Sequence, residues 1–229
     1  NGTQSGTVSI TDSFIRGGDS DYNSWGIIFS AKDLVLSGFS FIIRRNNIEA
    51  GRTNESYQYN AGIEVSSGNT GSNYINNTTI GIIDNERICG SIQNANSTDS
   101  GIYIYPQNNV EFNHFKLLIQ NNGIISGGES HNSGNGNKFG INFATYNMPA
   151  STTGSEILIR NNGIIRAHGP GSTTHPSTSK AVRLDYYGGT NIPVTVSGNR
   201  ILAEAKTTSE SVYCSSFVDF NCINNIITS

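Results

Sequence analysis

The chain has 229 residues, 35% of them hydrophobic and only 14% charged, with a formal net charge of −3. This length allows one medium domain with a sizeable core, and the shortage of charged residues excludes coiled coils and helical bundles. Many isoleucines, 10 Tyr, 10 Phe and 26 Gly indicate a folded, β-rich chain and not a disordered one. We therefore expect residues 1–229 to form a single domain.

The charges and the hydropathy also exclude some partners. Lys and Arg total 14 against 17 Asp and Glu, and no basic cluster is longer than Arg44-Arg45. A nucleic acid partner requires a basic surface, so we expect none. No apolar run is long enough to span a bilayer, so we expect no membrane insertion by this segment.

An internal repeat runs along the chain. In each unit two apolar residues stand two positions apart, and an isoleucine follows five positions after the second. The units are Val8, Ile10, Ile15; Phe41, Ile43, Ile48; Gly81, Ile83, Ile88; Leu117, Ile119, Ile124; Ile157, Ile159, Ile164; Val194, Val196, Ile201; and Phe220, Cys222, Ile227. Three positions after the second apolar residue stand Asn46, Asn122, Asn162, Asn199 and Asn225, with Ser13 and Glu86 as departures. Asn suits a sharp turn, and stacked amides can form a hydrogen-bonded ladder.

A second segment alternates with the first. It is a small residue followed by an apolar, any and an apolar residue, and it begins at Gly26, Gly62, Gly101, Gly140, Ala181 and Ser211. The period of two predicts short strands with one apolar face. Three strands per unit predict an all-β solenoid of about seven rungs, in which the longer units carry loop insertions and not extra core strands. The long loops are expected around residues 66–78, 105–116 and 144–155.

The alternation of Gly-Ile-x-Ile with Ile-x-Asn-Asn-x-Ile segments resembles the right-handed parallel β-helix of the pectate-lyase-like superfamily. The resemblance covers about residues 8–227. That superfamily includes polysaccharide lyases and hydrolases, phage tailspikes, and bacterial surface or autotransporter passenger domains, and the chain is nearest in character to the last of these. The resemblance implies the fold more specifically than the activity. A leucine-rich repeat, the main rival, is disfavoured because the chain lacks its LxxLxL spacing.

The repeat reaches from Val8 to Ile227 without an amphipathic cap at either end. Exposed solenoid ends are normally covered or paired with a neighbour. We therefore expect either a segment of a longer surface protein or a module that self-associates end to end.

The outward residues of the Gly-Ile strands are the candidate binding site. In relatives, a groove over the corresponding sheet holds saccharide, which implies a glycan ligand here. Tyrosine rings pack on sugar faces and polar groups bind hydroxyls. The candidate ligand-binding residues are Glu64, Tyr103, Tyr105, Asn142, Arg183 and Asp185. The alternative is a solvated face whose side chains only pair between rungs.

No residue is assigned as catalytic. Glycoside hydrolysis needs two carboxyl groups within about 9.5 Å, whereas three rungs place Glu64 and Asp185 about 14 Å apart. The hydrolase Asp-Asp pair is missing, although His168-Gly169 supplies one of the hydrolase motifs. Arg183 beside Asp185 resembles the arginine and carboxylates of pectate lyases only in part. If the chain is an enzyme, it is a polysaccharide lyase or a glycoside hydrolase.

Calcium is the one cofactor for which the sequence offers ligands. Asp19, Asp21 and Asn23 place oxygen atoms at alternate positions of a Gly-rich loop. The match to an EF-hand then fails at Ser24 and Ser30, so an ordinary polar turn is the alternative.

The repeat also makes predictions for single positions. Cys214 and Cys222 are expected to face inward, as free thiols or as a disulfide, and Cys89 to face outward. An outward apolar stripe is expected at Ile42, Ile82, Leu118 and Leu158. Such a stripe requires a cover, which the long loops carrying Tyr74, Phe112, Phe115 and Tyr146, or a partner chain, would supply.

Together these features favour a non-enzymatic β-helix of a secreted or cell-envelope protein, located outside the cell or at its surface. Its role would be that of an adhesin, a stalk or an assembly unit, with a glycan or a host or neighbour-cell surface as partner. The alternative is a carbohydrate-binding or carbohydrate-cleaving β-helix that uses the groove over the Gly-Ile strands.

Overall fold

The computed structural model describes residues 3–31, 35–52, 59–67, 73–91, 97–106, 110–128, 136–146, 152–168, 178–187, 192–202, 208–214 and 219–228. In these ranges the chain forms 22 β-strands and no helix. Their pairings are parallel throughout, so the chain winds in one direction and each coil lies on the previous one. The predicted all-β parallel solenoid is confirmed.

The strands follow one another coil by coil. Coil 1 contains β1 (Thr3–Thr11) and β2 (Phe14–Arg16); coil 2 contains β3 (Ser24–Ala31), β4 (Val35–Arg44) and β5 (Asn47–Glu49). Coil 3 contains β6 (Tyr59–Ser67), β7 (Asn73–Asn76), β8 (Thr79–Ile83) and β9 (Arg87–Ser91); coil 4 contains β10 (Thr98–Tyr105), β11 (Val110–Asn113), β12 (Lys116–Gln120) and β13 (Ile124–Gly128). Coil 5 contains β14 (Lys138–Tyr146), β15 (Glu156–Arg160) and β16 (Ile164–His168). Coil 6 contains β17 (Thr178–Tyr187), β18 (Val194–Ser197) and β19 (Arg200–Leu202); coil 7 contains β20 (Thr208–Cys214), β21 (Phe220–Ile223) and β22 (Ile226–Thr228).

Three sheets run along the stack. Sheet 1 is formed by the Gly-Ile strands β3, β6, β10, β14, β17 and β20. Sheet 2 contains β1, β4, β7, β8, β11, β12, β15, β18 and β21. Sheet 3 contains β2, β5, β9, β13, β16, β19 and β22. Each coil therefore passes through the sheets in the order 1, 2, 3, and coil 1 contributes described strands to sheets 2 and 3 alone.

The core is enclosed in fewer coils than the expected seven equivalent rungs. In coils 3 to 6 the inward residues of all three sheets are buried, from Ile63 and Ile82 to Val182 and Ile201. Coil 2 is less complete because Phe29 is only partly buried, and in coils 1 and 7 Val8 and Ile227 are exposed. The enclosed solenoid is therefore about four coils long, and within the described residues coils 1 and 7 each pair with one neighbouring coil.

An Asn ladder joins sheets 2 and 3 along the whole stack, as the repeat predicts. The backbone N–H and the Nδ2 group of Asn122 both donate to Oδ1 of Asn162, at 3.0 and 2.9 Å. The same pattern repeats through Asn46, Asn85, Asn122, Asn162, Asn199 and Asn225, and Ser13 donates its backbone N–H at the start. The ladder is directional, because every coil donates to the coil that follows.

The left-handed residue of this turn lies one position before the ladder residue and not at it. It has φ near 55° at Asp12, Arg45, Asp84, Asn121, Asn161 and Asn224, and Gly198 takes the same place with φ 66°. This backbone region favours Gly, Asn and Asp. The side chain of the ladder Asn is then directed into the stack, where it also donates to a main-chain carbonyl such as that of Ile82.

The predicted alignment of the repeat is wrong by one residue in two places, namely in sheet 2 of coil 3 and in sheet 3 of coils 4 and 5. In coil 3 the inward residues are Ile80 and Ile82, not Gly81 and Ile83, so Asn85 and not Glu86 occupies the ladder. In coils 4 and 5 the inward residues of sheet 3 are Ile125 and Ile165, whereas the predicted Ile124 and Ile164 are only partly buried. The reason is that coils 3 to 5 insert one residue, Glu86, Gly123 or Gly163, after the ladder Asn. The turn is thus long in coils 3 to 5 and short in coils 1, 2, 6 and 7.

Two segments predicted as loops are strands of the core. β7 and β11 pair with each other, and β7 pairs with the first half of β4. They bury Ile75, Val110 and Phe112, and Phe115 at the adjoining bend is buried too. The expectation that long coils carry no extra core strands is therefore wrong for coils 3 and 4. Left-handed residues at Gly38, Asn77, His114 and Gly154 bend sheet 2 between its two halves.

The outward apolar stripe is also corrected. Ile82 faces inward, and Gly81 occupies the outward position between Ile42 and Leu118. A Cβ at Gly81 would lie 2.9 Å from Cδ1 of Ile42, so the isoleucine side chain covers the glycine. Tyr74 is exposed, Phe112 and Phe115 are buried, and the side chain of Tyr146 is outside the described residues.

Candidate functional site

The candidate site is the outward face of sheet 1, where parallel pairing aligns the predicted residues in columns. One column contains Ile28, Glu64, Tyr103, Asn142, Arg183 and Tyr213. A second column places Ser30, Ser66 and Tyr105 side by side, and Asp185 continues it in coil 6 next to Ala144. Four of the six predicted residues, Glu64, Tyr103, Asn142 and Arg183, therefore occupy consecutive coils.

Three tyrosine rings form a stacked row on this face. The ring centroids of Tyr103 and Tyr105 are 5.5 Å apart with an interplanar angle of 18°, and those of Tyr59 and Tyr103 are 6.3 Å apart at 7°. Offset rings at these distances attract one another. Tyr59 was not predicted as a site residue, because it precedes the Gly-Ile segment of its strand. Its ring is half-exposed and widens the aromatic surface.

The two carboxyl groups of this face have different surroundings. Burial raises the pKa of Glu64, which lies between Ile28 and Tyr103 in its column. Asp185 is buried and accepts from Nη2 of Arg183 at 2.6 Å. The two lie three coils apart, about 14 Å at one strand spacing per coil. They are therefore too far apart for the paired carboxyl chemistry of glycoside hydrolysis.

In coils 5 and 6 the outward face of sheet 1 is more enclosed than an open groove would be. Asn142 and Asp185 are each only 3% exposed, although both occupy outward positions. Oδ1 of Asn142 is buried and accepts no hydrogen bond within the described part of the chain. The Arg183 guanidinium lies 5.4 Å from the ring centroid of Phe139, and Nζ of Lys180 lies 3.4 Å from that of Tyr213. The more exposed part of the face is thus the tyrosine row in coils 3 and 4.

A polar column that the sequence reasoning missed lies where each strand of sheet 1 begins. Pairing aligns Ser24, Asn60, Asp99, Lys138 and Ser179 in successive coils, all of them buried. Each residue stands two positions before the small residue of its Gly-Ile segment, and this constant offset was the available signal. We call these five residues the polar column.

Asp99 and Lys138 form a buried ion pair at the centre of this column. Asp99 also accepts from Asn60 Nδ2 at 2.8 Å and from Ser97 Oγ at 2.6 Å, and Lys138 Nζ donates to the Ser97 carbonyl at 3.1 Å. Desolvation raises the pKa of Asp99, and Lys138 opposes that shift. The pairing and the further hydrogen bonds offset part of the cost of burying the two charges.

The predicted calcium ligands lie in the turn between β2 and β3. Oδ1 of Asp19 accepts from the backbone N–H of Arg52 at 3.0 Å, and Oδ1 of Asn23 accepts from that of Tyr59 at 3.0 Å. Asp21 lies between them and is exposed. Within the described ranges, no three His, Cys, Asp or Glu residues lie close enough to hold a metal ion. Calcium binding by Asp19, Asp21 and Asn23 stays a prediction.

The three cysteines are free thiols. Cys214 and Cys222 occupy inward positions of the last coil, in register with Leu184 and Val196, but Cys214 is only partly buried and Cys222 is exposed. Burial, with a smaller contribution from Cys222, raises the pKa of Cys214 to about 12. Cys89 takes an outward position between Glu49 and Ser126, as predicted, yet it is buried.

A charged groove of about 650 Å³ lies outside the Asn turns of coils 1 to 3. Arg45 binds Asp12 through two contacts of 2.6 Å, and Arg44 binds Asp84 at 2.9 Å. The hydrogen bond from Arg45 lowers the pKa of Asp12. These exposed pairs join neighbouring coils and contribute little to stability individually.

Comparison of the chain with protein-family models, curated proteins and solved structures found no match to any of them. Across the described ranges, the structure contains no helix with the length and apolar character needed to cross a membrane.

Proposed function

We propose that this chain is a non-enzymatic β-helix module of a secreted or cell-envelope protein, acting as a stalk, adhesin or assembly unit. The finer relationship, to surface or autotransporter passenger domains of the pectate-lyase-like superfamily, is part of the same proposal. The observation that carries it is that the buried polar side chains form two columns along the stack. The Asn ladder links every coil, and the polar column links coils 2 to 6.

The acidic side chains support this proposal because many of them are used inside the stack. Glu49 binds Arg87 at 2.6 Å, Asp185 binds Arg183, and Glu210 binds Lys180 at 2.9 Å. These carboxylates are held by cations of the same stack, and the contacts of Glu49 and Glu210 join neighbouring strands of the fold. Glu64 is the acid of the sheet 1 face without such an ion pair in the described part of the structure, and one carboxyl group does not supply the pair that hydrolysis needs.

A panel of polysaccharides tests the non-enzymatic assignment. We expect no new reducing ends and no unsaturated products from the 229-residue chain. Glu64→Gln is the matched control, because it removes the one candidate acid without changing side-chain size. Product that forms with the unmodified chain and disappears with Glu64→Gln would overturn the proposal. Labelling of intact source cells by an antibody against the chain tests the location, and labelling only after lysis would contradict it.

The tyrosine row favours a second candidate, a carbohydrate-binding role without cleavage. Tyr59, Tyr103 and Tyr105 present stacked rings beside Glu64, and aromatic faces of this kind pack on sugar rings. On a glycan array, Tyr103→Ala is expected to weaken binding at least about tenfold. Tyr22→Ala is the control, because Tyr22 is equally aromatic, exposed and outside the row. Equal binding by both variants would remove this candidate.

A further inference from the structure

Two members of the Asn ladder are followed directly by glycine. They are Asn122 and Asn162, and the glycines are Gly123 and Gly163, the residues inserted in the turns of coils 4 and 5. Asn-Gly is the sequence in which asparagine deamidates most readily. The reason is that glycine has no Cβ to hinder the attack of its backbone nitrogen on the asparagine side chain. The ladder thus contains two chemically labile amides in the middle of the stack.

The stacking of the long turns requires glycine at these two positions. A Cβ at Gly123 would lie 2.5 Å from the carbonyl oxygen of Glu86, and a Cβ at Gly163 would lie 2.6 Å from that of Gly123. Both contacts are with backbone, which cannot move aside as the end of a side chain can. Glu86 itself can carry a side chain because coil 2, the coil before it, has the short turn and no inserted residue. The two Asn-Gly pairs are therefore a consequence of stacking one long turn on another.

In the folded chain, both groups of coil 4 that would react are engaged in hydrogen bonds. The backbone N–H of Gly123 donates to the carbonyl of Asn85 at 2.8 Å. The side chain of Asn122 is fully buried and accepts from Nδ2 of Asn85 at 2.9 Å. It donates in turn to the Ile82 carbonyl and to Oδ1 of Asn162, each at 2.9 Å. Deamidation requires the glycine nitrogen to leave its carbonyl and approach Cγ of the asparagine, so the turn must open first.

Coil 5 repeats this arrangement. The backbone N–H of Gly163 donates to the carbonyl of Asn122 at 2.8 Å. The side chain of Asn162 is 2% exposed and donates to the Ile119 carbonyl at 3.1 Å and to Oδ1 of Asn199 at 2.8 Å. Coils 4 and 5 both lie in the enclosed part of the stack, where local opening disrupts packing against the coils on either side and is therefore rare.

We propose that Asn122 and Asn162 are deamidation sites that the fold keeps unreactive and that unfolding makes reactive. In the open chain, the backbone nitrogen of the following glycine loses its proton and forms a bond to Cγ of the asparagine. The side-chain nitrogen leaves as ammonia, and the product is a cyclic imide, the succinimide. Water then adds to one of the two ring carbonyls and breaks its bond to nitrogen, which leaves aspartate or isoaspartate.

Neither product fits the ladder. Aspartate at position 162 would bring a carboxylate oxygen to the place from which Nδ2 of Asn162 donates to the Ile119 carbonyl and to Oδ1 of Asn199. Acceptor would then face acceptor, and a charge would be buried among them. Isoaspartate would add a carbon atom to the main chain of the turn. A chain that stays unfolded long enough to deamidate therefore cannot regain the original fold, and its unfolding becomes irreversible.

Peptide mass spectrometry of the unmodified chain tests the protection by the fold. The chain is incubated at mildly alkaline pH in water labelled with heavy oxygen, either without urea or in urea above the unfolding midpoint, and is then digested at acid pH. Heavy oxygen marks the carboxyl groups that form during the incubation. Conversion of Asn122 and Asn162 should be at least about a hundredfold slower in the folded chain than in urea.

Two other asparagines serve as controls in the same digests. Asn199 belongs to the same ladder but is followed by Arg200, so in urea it should be converted more slowly than Asn122 and Asn162. Asn135 lies outside the described residues and is followed by Gly136, so its conversion in urea calibrates the rate of an Asn-Gly pair.

The variant Asn162→Asp tests the consequence of the reaction. It should either fail to fold or melt at least about 6 °C below the unmodified chain. Asn161→Asp is the matched control, because it places the same charge one position earlier, at an exposed left-handed residue whose equivalents in coils 1 and 3 are Asp12 and Asp84. It should melt like the unmodified chain.

Three results would overturn the proposal. The first is conversion of Asn122 and Asn162 in the folded chain at the rate found in urea. The second is conversion of these two residues in urea no faster than that of Asn199. The third is equal melting temperatures for Asn162→Asp and Asn161→Asp, which would show that the deamidated ladder still folds.

Discussion

The Asn ladder and the polar column connect the same coils in different ways. In the ladder coils 2 to 7 contribute the same amide, and in coils 2 to 6 it accepts from the coil before and donates to the coil after. In the polar column the contributed group changes from one coil to the next, and two of the groups are opposite charges at the centre of the stack. A ladder of identical groups can continue indefinitely, whereas the polar column has a fixed centre. The members of the polar column therefore depend on one another more strongly than the members of the ladder do.

The largest effect is expected from breaking the centre of the polar column. Lys138→Met leaves the buried carboxylate of Asp99 without its cation, and it should lower the free energy of unfolding by about 3–5 kcal/mol at pH 7. The double variant Asp99→Asn with Lys138→Gln should recover much of this loss, because no charge is then buried alone. Urea denaturation measures both, and a Lys138→Met chain as stable as the unmodified one would contradict the role of the pair.

A smaller effect is expected from interrupting the ladder at its middle. Asn122→Ala removes the acceptor of two bonds from Asn85 and the donor to the Ile82 carbonyl. Unsatisfied buried groups of this kind cost about 1–3 kcal/mol. Asn121→Gly is the control, because position 121 is exposed and left-handed and glycine keeps that backbone conformation. If Asn122→Ala and Asn121→Gly have the same melting temperature, the ladder contributes no stability beyond that of the turn itself.

The ladder should matter less at its end than at its middle. Asn225 is only partly buried and accepts from Asn199, whereas Asn122 both accepts from Asn85 and donates to Asn162. Asn225→Ala should therefore lower the free energy of unfolding by about 1 kcal/mol or less. Hydrogen exchange measures the difference, because the loss should be confined to coils 6 and 7. A loss of protection as wide as that in Asn122→Ala would show that the ladder acts as one cooperative unit.

The smallest effect is expected on the pH dependence of the free energy of unfolding. It distinguishes the contribution of Glu64 from that of Asp99. Burial raises the pKa of both carboxyl groups above their ordinary values. A group that keeps its proton in the folded chain and loses it in the unfolded chain destabilises the fold as the pH rises. The free energy of unfolding should thus fall as the pH rises above about 4.5. Glu64→Gln should remove part of this fall and leave the part due to Asp99, and an unchanged slope in urea titrations would exclude Glu64.

The sequence predicts the ladder well because its members are identical. Asn46, Asn122, Asn162, Asn199 and Asn225 recur at a constant offset from the inward residues, so the chemistry is visible as one repeated letter. Asn85 was missed because Gly81-Ile82-Ile83 offers two alternations, and only one of them keeps the constant offset. The doublets Ile124-Ile125 and Ile164-Ile165 gave the same uncertainty, since an inserted glycine changes which isoleucine faces inward.

The polar column and the extra strands were less visible for a physical reason. Ser24, Asn60, Asp99, Lys138 and Ser179 share a position, but the residue type changes from each coil to the next, so no repeated letter marks the column in the sequence. Asn73–Asn76 and Val110–Asn113 are only four residues long each. Their role as strands depends on pairing with the first half of β4, which is distant in the chain. On the candidate site, the columns of sheet 1 were predicted, whereas Tyr59 and the burial of Asn142 and Asp185 were not.

The common turn length of coils 3 to 5 has a consequence for how such a chain can change in size. The ladder residues Asn122 and Asn162 are 40 positions apart, so residues 122–161 make up one complete coil. Duplication of that stretch of gene would add a coil whose strands, turn and amide fit the coils on either side. The molecule would become about 4.8 Å longer, with no change of register. An insertion that does not complete a coil would have to be accommodated within a loop, so growth of the stack proceeds in whole coils.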